Sequence, residues 1–302
     1  MKKLEIYDSH THLLTRDTMP IETVFGRFNL TKWQMGILAT GLMEGIDFID
    51  ELVEVFNLFT KKDINIRPIM EGMCSTPKQY IENFQKEMDI AGIDKAVMLD
   101  LPTNPDYEPF ENLPKSMTSF LGMNQFNTMF LSSIKPPGIK LYPAMTGGIV
   151  EDYRETWVIA EKLGIPITLH CSPGGIGDHE DLSYPNNWAQ FIYQYEVNVN
   201  FAHGGGNSFN WIDSISTIAL ESDRDNVYID TAFHDAAFFD TARYFNDLRK
   251  IMENVNVLFG SDWPLCGIYY SYKDLIDKYR ENLEPWQFEQ ITNYNPKMFL
   301  KE

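Results

Sequence analysis

Basic side chains are scarce in this chain of 302 residues: 25 lysines and arginines stand against 43 aspartates and glutamates, a formal net charge of −18. A broad surface of that sign repels phosphate backbones and anionic headgroups, which argues against nucleic acid or a membrane as partner. It leaves an anionic substrate open, because a bound cation can dominate the field locally. Cysteine is scarcer still. Cys74, Cys171 and Cys266 are odd in number and far apart, so they offer neither a disulfide framework nor a Cys-x-x-Cys site, the usage of a reducing compartment. No apolar run approaches the roughly 18 residues needed to span a membrane. The first strand pattern opens near Leu4, which leaves no room for a secretory leader, and a cytoplasmic protein is expected. Also missing are a linker rich in Pro, Gly or Ser, a fixed sequence repeat and a low-complexity tract.

What is present is core material: 44% of the residues are hydrophobic, among them 20 Phe, 15 Tyr and 6 Trp. The chain is organised around Asp8-Ser9-His10-Thr11-His12. Alternate side chains of a strand share a face, so His10 and His12 point the same way, with Asp8 on that face. Two imidazoles so placed can grip one divalent metal and call for partners later in the chain. Three candidates stand in similar settings. His170 closes the apolar run 165–169, His203 closes 199–202 and precedes Gly204-Gly205-Gly206, and Asp262 follows 257–261. Each is a polar group at the carboxyl end of a buried strand.

Further strand candidates are 95–99, 119–123, 138–142 and 227–231, which bring the series to eight. Helical patterns at 150–163, 187–195, 212–221 and 241–254 separate the later ones, in units of about 30 residues. The runs are apolar rather than alternating, as in parallel strands covered on both faces. Eight such strands alternating with helices predict an α/β fold, a (β/α)8 TIM barrel over residues 1–302. In such a barrel the working groups lie at the C-terminal ends of the strands, where His10, His12, Lys140, His170, His203 and Asp262 all stand. Residues 13–91 read instead as a mostly helical insertion after the first strand, long enough to cap the pocket. Within it, 64–69 has the composition of a short strand, weakened by Pro68. Residues 80–91 form an amphipathic helix stopped by Gly92.

Histidines joined by a carboxylate suit Zn²⁺ or a similar borderline metal, with one position kept for water. Asp262 can then serve twice, touching the metal and accepting the proton of the water. His203 is a further ligand or, as the preferred reading, a donor to a substrate oxygen.

Asp8-x-His10-x-His12, Gly138-Ile139-Lys140-Leu141-Tyr142-Pro143, His170, His203-Gly204-Gly205-Gly206 and Gly260-Ser261-Asp262-Trp263-Pro264 together resemble the amidohydrolase superfamily. The similarity is to its amidohydrolase-related branch, which includes aminocarboxymuconate semialdehyde decarboxylase, and it spans the chain except residues 13–91. The resemblance implies a (β/α)8 barrel in which His10, His12, His170 and Asp262 hold one divalent metal, usually zinc, with Mn²⁺ and Fe²⁺ as the other candidates. It implies that His203 acts on the substrate or binds a second metal. It leaves two roles for Lys140: a carboxylated bridge between two metals, or a lysine beside a single metal, the preferred reading. Dimers are common among such enzymes, so a homodimer is admitted as a partner beside the small-molecule substrate.

Several residues have plainer readings. Asp8 suits a structural hydrogen-bonding partner better than a ligand. Lys140 can pair with Asp8 or Asp230 inside the barrel. Cys171 should face away from His170 as a buried apolar residue. His179 reads as a solvated loop histidine, and His234 is an even choice between site and loop. The expected function is a metal-dependent hydrolase acting on an amide, ester or lactone of a small organic acid through metal-activated water. The same ligands admit a non-oxidative decarboxylase, which would need arginines such as Arg16, Arg27 or Arg67 to grip carboxylates. A binding protein on a barrel whose catalysis has decayed is the third reading.

Overall fold

In the computed structural model, the residues described are 4–15, 18, 25, 28, 30–44, 49–60, 64–102, 112–124, 128, 131–173, 179–206, 209–222, 225–232 and 240–302. Eight strands follow one another in chain order: β1 (Tyr7–His12), β2 (Lys95–Leu99), β3 (Met117–Met123), β4 (Gly138–Leu141), β5 (Ile167–His170), β6 (Val199–Ala202), β7 (Val227–Asp230) and β8 (Asn256–Leu258). Each pairs in parallel with the next, and among the described residues helices lie in the connections other than that from β2 to β3, making a nearly closed (β/α)8 barrel. The last seam is sewn by residues beyond β8. Ser9 N donates to Phe259 O, Asp262 N to His10 O and His12 N to Trp263 O, each at 2.8 Å. The seam that closes the barrel is therefore built from the two segments that carry His10, His12 and Asp262.

Side-chain alternation divides the core in two. Ala96, Met98, Ile139, Leu141, Ile167, Leu169, Val199, Phe201, Val227, Ile229 and Val257 pack outward beneath the helices. Val97, Leu99, Phe120, Tyr228 and Leu258 form a second core with Phe299, which comes from the terminal helix Asn295–Leu300. Gly138 is required here, since a Cβ on it would lie 2.4 Å from the Phe120 ring.

Among the described residues, the helices between β1 and β2 include α1 (Lys32–Glu44), α2 (Ile49–Thr60), α3 (Arg67–Cys74) and α4 (Pro77–Ala91). The strand expected at 64–69 is not formed. Pro68 lies in the first turn of α3, where its missing N–H costs nothing and its fixed φ favours a helix. The helix expected at 80–91 is the body of α4, which starts at a Thr76/Gln79 capping box and stops at Gly92 (φ 73°). Tyr80 of α4 donates its hydroxyl to His12 O at 2.8 Å, so this helix buttresses the first strand. α3 meets the loop after Asp262, where Pro68 lies against Gly267.

Candidate metal centre

The strand run expected before His10 is displaced. β1 begins only at Tyr7 and carries both histidines, with a register shift between Asp8 and Thr11. His10 and His12 face the same way, as alternation requires. Each is anchored by Nδ1: that of His10 meets Asp230 Oδ2 at 2.8 Å, and that of His12 meets Leu99 O at 3.0 Å. Carboxylates and carbonyls only accept, so the proton of each ring sits on Nδ1 and each Nε2 presents a lone pair. Those two Nε2 atoms are 3.2 Å apart, and Asp262 Oδ1 lies 3.4 Å from one and 3.1 Å from the other.

Burial depresses the pKa of His10, working against the raising effect of Asp230. Burial pushes the Asp262 carboxyl up, but the neighbouring His12, His10 and His203 outweigh it and hold the carboxyl well below its usual range. Three acceptors thus converge with no proton among them, and Asp262 Oδ1 has no hydrogen-bond partner among the described residues. Such a cluster is repulsive unless a cation sits within it, and these donor types suit a divalent metal.

His170 lies one layer further round the barrel, its ring centroid 4.8 Å from that of His203. Both its nitrogens are buried without a partner among the described residues, as expected of a ring whose lone pair is reserved for an ion. It is held instead by Tyr142, whose ring stacks on it at 3.8 Å and 13°. His203 stands just beyond β6 in the left-handed region (φ 63°), and Asp262 beyond β8 has the same φ. His203 Nδ1 approaches Ala232 O at 3.3 Å, which leaves Nε2 as an acceptor. Burial lowers its pKa to about 3, so the ring is neutral.

Asp230, at the end of β7, is the site residue that sequence reasoning missed. Its two oxygens accept from His10 Nδ1, from Asn200 Nδ2 (2.7 Å), from His203 N (2.8 Å) and from Ala232 N (3.1 Å). Burial raises its pKa, but His10 and these donors reverse the shift and keep the carboxyl ionised. The only signal in the sequence is its position, an acid ending an apolar strand. Among the described residues, two groups of potential ligands lie within 4.8 Å of one another: His10, His12 and Asp262, and His10, His203 and Asp230.

Lys140 is fully buried inside the barrel, and its Nζ has no hydrogen-bond partner among the described residues. The pairing with Asp8 or Asp230 that composition allowed is thus not a direct contact. Burial lowers the lysine to about 8 against the pull of Asp230 and Asp262. Asp8 is spent on hydrogen bonds to His10 N, Ser261 N and Tyr272 Oη. Cys171 is buried in the outer core, and its thiol is pushed well up by burial. His179 is exposed. Arg67 pairs with Asp50 and Glu71 on the surface and is not a carboxylate grip at the mouth. Arg16, Arg27 and His234 lie outside the described residues.

The sequence model of the amidohydrolase family matches residues 132–301, a span that holds Lys140, His170, His203, Asp230 and Asp262. No curated protein matches the sequence. Among solved structures, Amidohydrolase 2 from Bifidobacterium longum subsp. infantis is similar, with 15% identity, 99% of each chain covered and a TM-score of 0.58. A protein described as "probable 2-pyrone-4,6-dicarboxylic acid hydrolase" from Acinetobacter baumannii is 14% identical, with 99% of this chain and 100% of that one covered and a TM-score of 0.58. A TIM-barrel protein of Bordetella bronchiseptica is also 14% identical, with 99% of each chain covered and a TM-score of 0.59. At these identities the likeness is one of fold.

Proposed function

As the chain belongs to the amidohydrolase family, we propose that it is a metal-dependent hydrolase that opens an amide, ester or lactone of a small organic acid. His10, His12, His170 and Asp262 would hold one zinc ion. The observation that carries this reading is the crowding of His10 Nε2, His12 Nε2 and Asp262 Oδ1 within 3.4 Å, all three as acceptors. A divalent ion held there supplies a Lewis acid and lowers the pKa of a water towards about 7.

The chain's own groups do the rest. Asp262, ionised at neutral pH, accepts a proton from the attacking water and returns it to the leaving group. His203 is neutral with Nε2 turned to accept, so it orients that water rather than donating to the carbonyl oxygen. Asp230 holds His10 and the backbone of His203 in place. Lys140, sealed beneath the site, acts on Asp262 and Asp230 as a fixed charge and does not reach the substrate. The described helices between β1 and β2 would supply a cap over the pocket.

Metal content per chain tests the reading first, on protein purified without added metal or chelator. One equivalent of zinc, lost in His10→Ala and Asp262→Ala, is the expected result. Two equivalents would move Lys140 into the metal shell. Ester, lactone and amide substrates should then release acid. Release of CO2 from carboxylated aromatics without hydrolysis would move the reaction to decarboxylation. Metal retained with no turnover of either kind would favour a binding protein.

A further inference from the structure

One buried carboxylate joins the two backbone segments that carry the site. Asp8 Oδ1 accepts from His10 N on β1 and from Ser261 N in the loop after β8, both at 3.0 Å. Ser261 immediately precedes Asp262. The other oxygen, Oδ2, accepts from Tyr272 Oη at 2.7 Å. Tyr272 opens the helix Tyr272–Asn282 and is itself fixed, stacked on Trp263 at 5.1 Å and on Phe84 at 5.8 Å. Asp8, Ser261 and Tyr272 are all fully buried, so none of them meets a substrate.

The position of this contact gives it its meaning. β1 slips register between Asp8 and Thr11, and β8 is only three residues long, ending at Leu258. Asp262 sits in a left-handed conformation that an L-residue holds only when its surroundings over-determine it. Three backbone bonds stitch these segments, Asp262 N to His10 O among them, and the Asp8 oxygen bonded to both adds a side-chain tie that fixes how the two chains lie against each other at the site. A tyrosine needed only for packing could lose its hydroxyl without consequence for the site.

We propose that Asp8 and Tyr272 form a brace that sets the separation of His10 and Asp262, and through it the metal affinity of the site. Tyr272 fixes the rotamer of Asp8, and Asp8 holds the two amides. Both are positioning residues. The affinity part of this inference rests on the metal-dependent reading above, while the brace itself is a statement about the metal-free chain.

The test compares Tyr272→Phe, Asp8→Ala and Asp8→Asn with a core control of similar loss in Tm, Ile218→Val on the helix Phe209–Ser222. Zinc affinity is measured by competition with a chromogenic chelator, and amide exchange of His10 and Ser261 is measured on the metal-free proteins. Tyr272→Phe and Asp8→Ala should weaken zinc by about tenfold or more, the range found for partners that orient ligands. Asp8→Asn keeps an oxygen for both amides and should stay within about threefold of wild type by that reasoning. The control should bind zinc normally. In Asp8→Ala the His10 and Ser261 amides should exchange faster, and in the control they should not. A folded Tyr272→Phe protein with zinc affinity within twofold of wild type, or unchanged exchange in Asp8→Ala, would overturn the brace. If the wild type binds no zinc, the metal reading fails, and the exchange arm still decides whether the brace exists.

Discussion

Which nitrogen of His10 faces the site is decided by Asp230. The carboxylate accepts from Nδ1, so Nε2 is left bare beside His12 and Asp262. An asparagine at 230 would have to set its NH2 against one of two donor pairs, His10 Nδ1–H with Asn200 Nδ2–H or the His203 and Ala232 amides. Asp230→Asn should therefore turn the His10 ring proton towards the site and weaken metal binding by roughly 10- to 100-fold. It should also cost about 1–3 kcal/mol of stability for the unmatched buried groups. Chelator competition and urea unfolding read the two effects, and unchanged metal affinity would remove Asp230 from the orienting role. Tyr142 has the same duty towards His170, by a stack instead of a bond. Tyr142→Phe keeps the stack and should bind metal nearly as wild type does, whereas Tyr142→Leu should lose about tenfold. His10, His12, His170 and Asp262 were legible in the sequence because each breaks an apolar strand with a polar group. Asp230 breaks one too, but its partner lies 220 positions away in sequence, and the Tyr142 stack joins neighbouring strands in a way no spacing records. The left-handed φ of His203 and Asp262 left no mark either, since neither residue is a glycine.

At the scale of elements, the far end of the barrel is closed by the terminal helix. Phe299 lies against Phe120 and Tyr228 at the base of the barrel, and Phe299→Ala should cost about 3–5 kcal/mol by opening a cavity there. Beside it Glu302 accepts from Lys95 Nζ at 2.7 Å and from Tyr7 Oη at 2.8 Å, tying the helix to β1 and β2. Burial raises the Glu302 carboxyl, but the bonds to Lys95 and Tyr7 outweigh it and leave the folded pKa below the ordinary value. A carboxyl depressed on folding stabilises the fold above its unfolded pKa of about 4.3, and the benefit disappears as the pH falls through the folded value. The pair is a third exposed, so solvent screening holds its worth to about 0.5 kcal/mol. Glu302→Gln should lose that much at pH 7 and less near pH 3 in matched urea titrations. Equal losses at both pH values would mean that shape, not charge, fastens the helix. Most of this framework was readable: apolar runs marked the strands, and Gly92 marked a helix end. The run at 64–69 misled because its apolar residues suit a buried helix as well as a strand, a choice that Pro68 in the first turn settles.

For the whole molecule, the dominant fact is the charge of −18. The ion pairs on the described helices, such as Arg154–Glu151, Arg280–Asp277 and Lys273–Asp277, are local and exposed, and pairs of that kind contribute little. Self-repulsion of the acidic surplus is therefore left largely uncompensated, and salt should relieve it. Raising NaCl from about 10 to 200 mM shortens the Debye length from roughly 30 Å to under 10 Å and should raise Tm by about 2 °C. The candidate metal centre should respond differently. His10, His12, His170 and Asp262 are buried, and charges held away from water are screened far less than surface ones. An ion present at about 100 times its Kd adds about 2.7 kcal/mol to the folded state, so a chelator should lower Tm clearly. If the buried donors hold the ion, that chelator-induced drop should be nearly the same size at both salt concentrations, while the baseline Tm moves with salt. A drop that disappears at high salt would instead mean that divalent cations are gathered by the diffuse negative surface, and the convergence of His10, His12 and Asp262 would lose its claim to be the binding site.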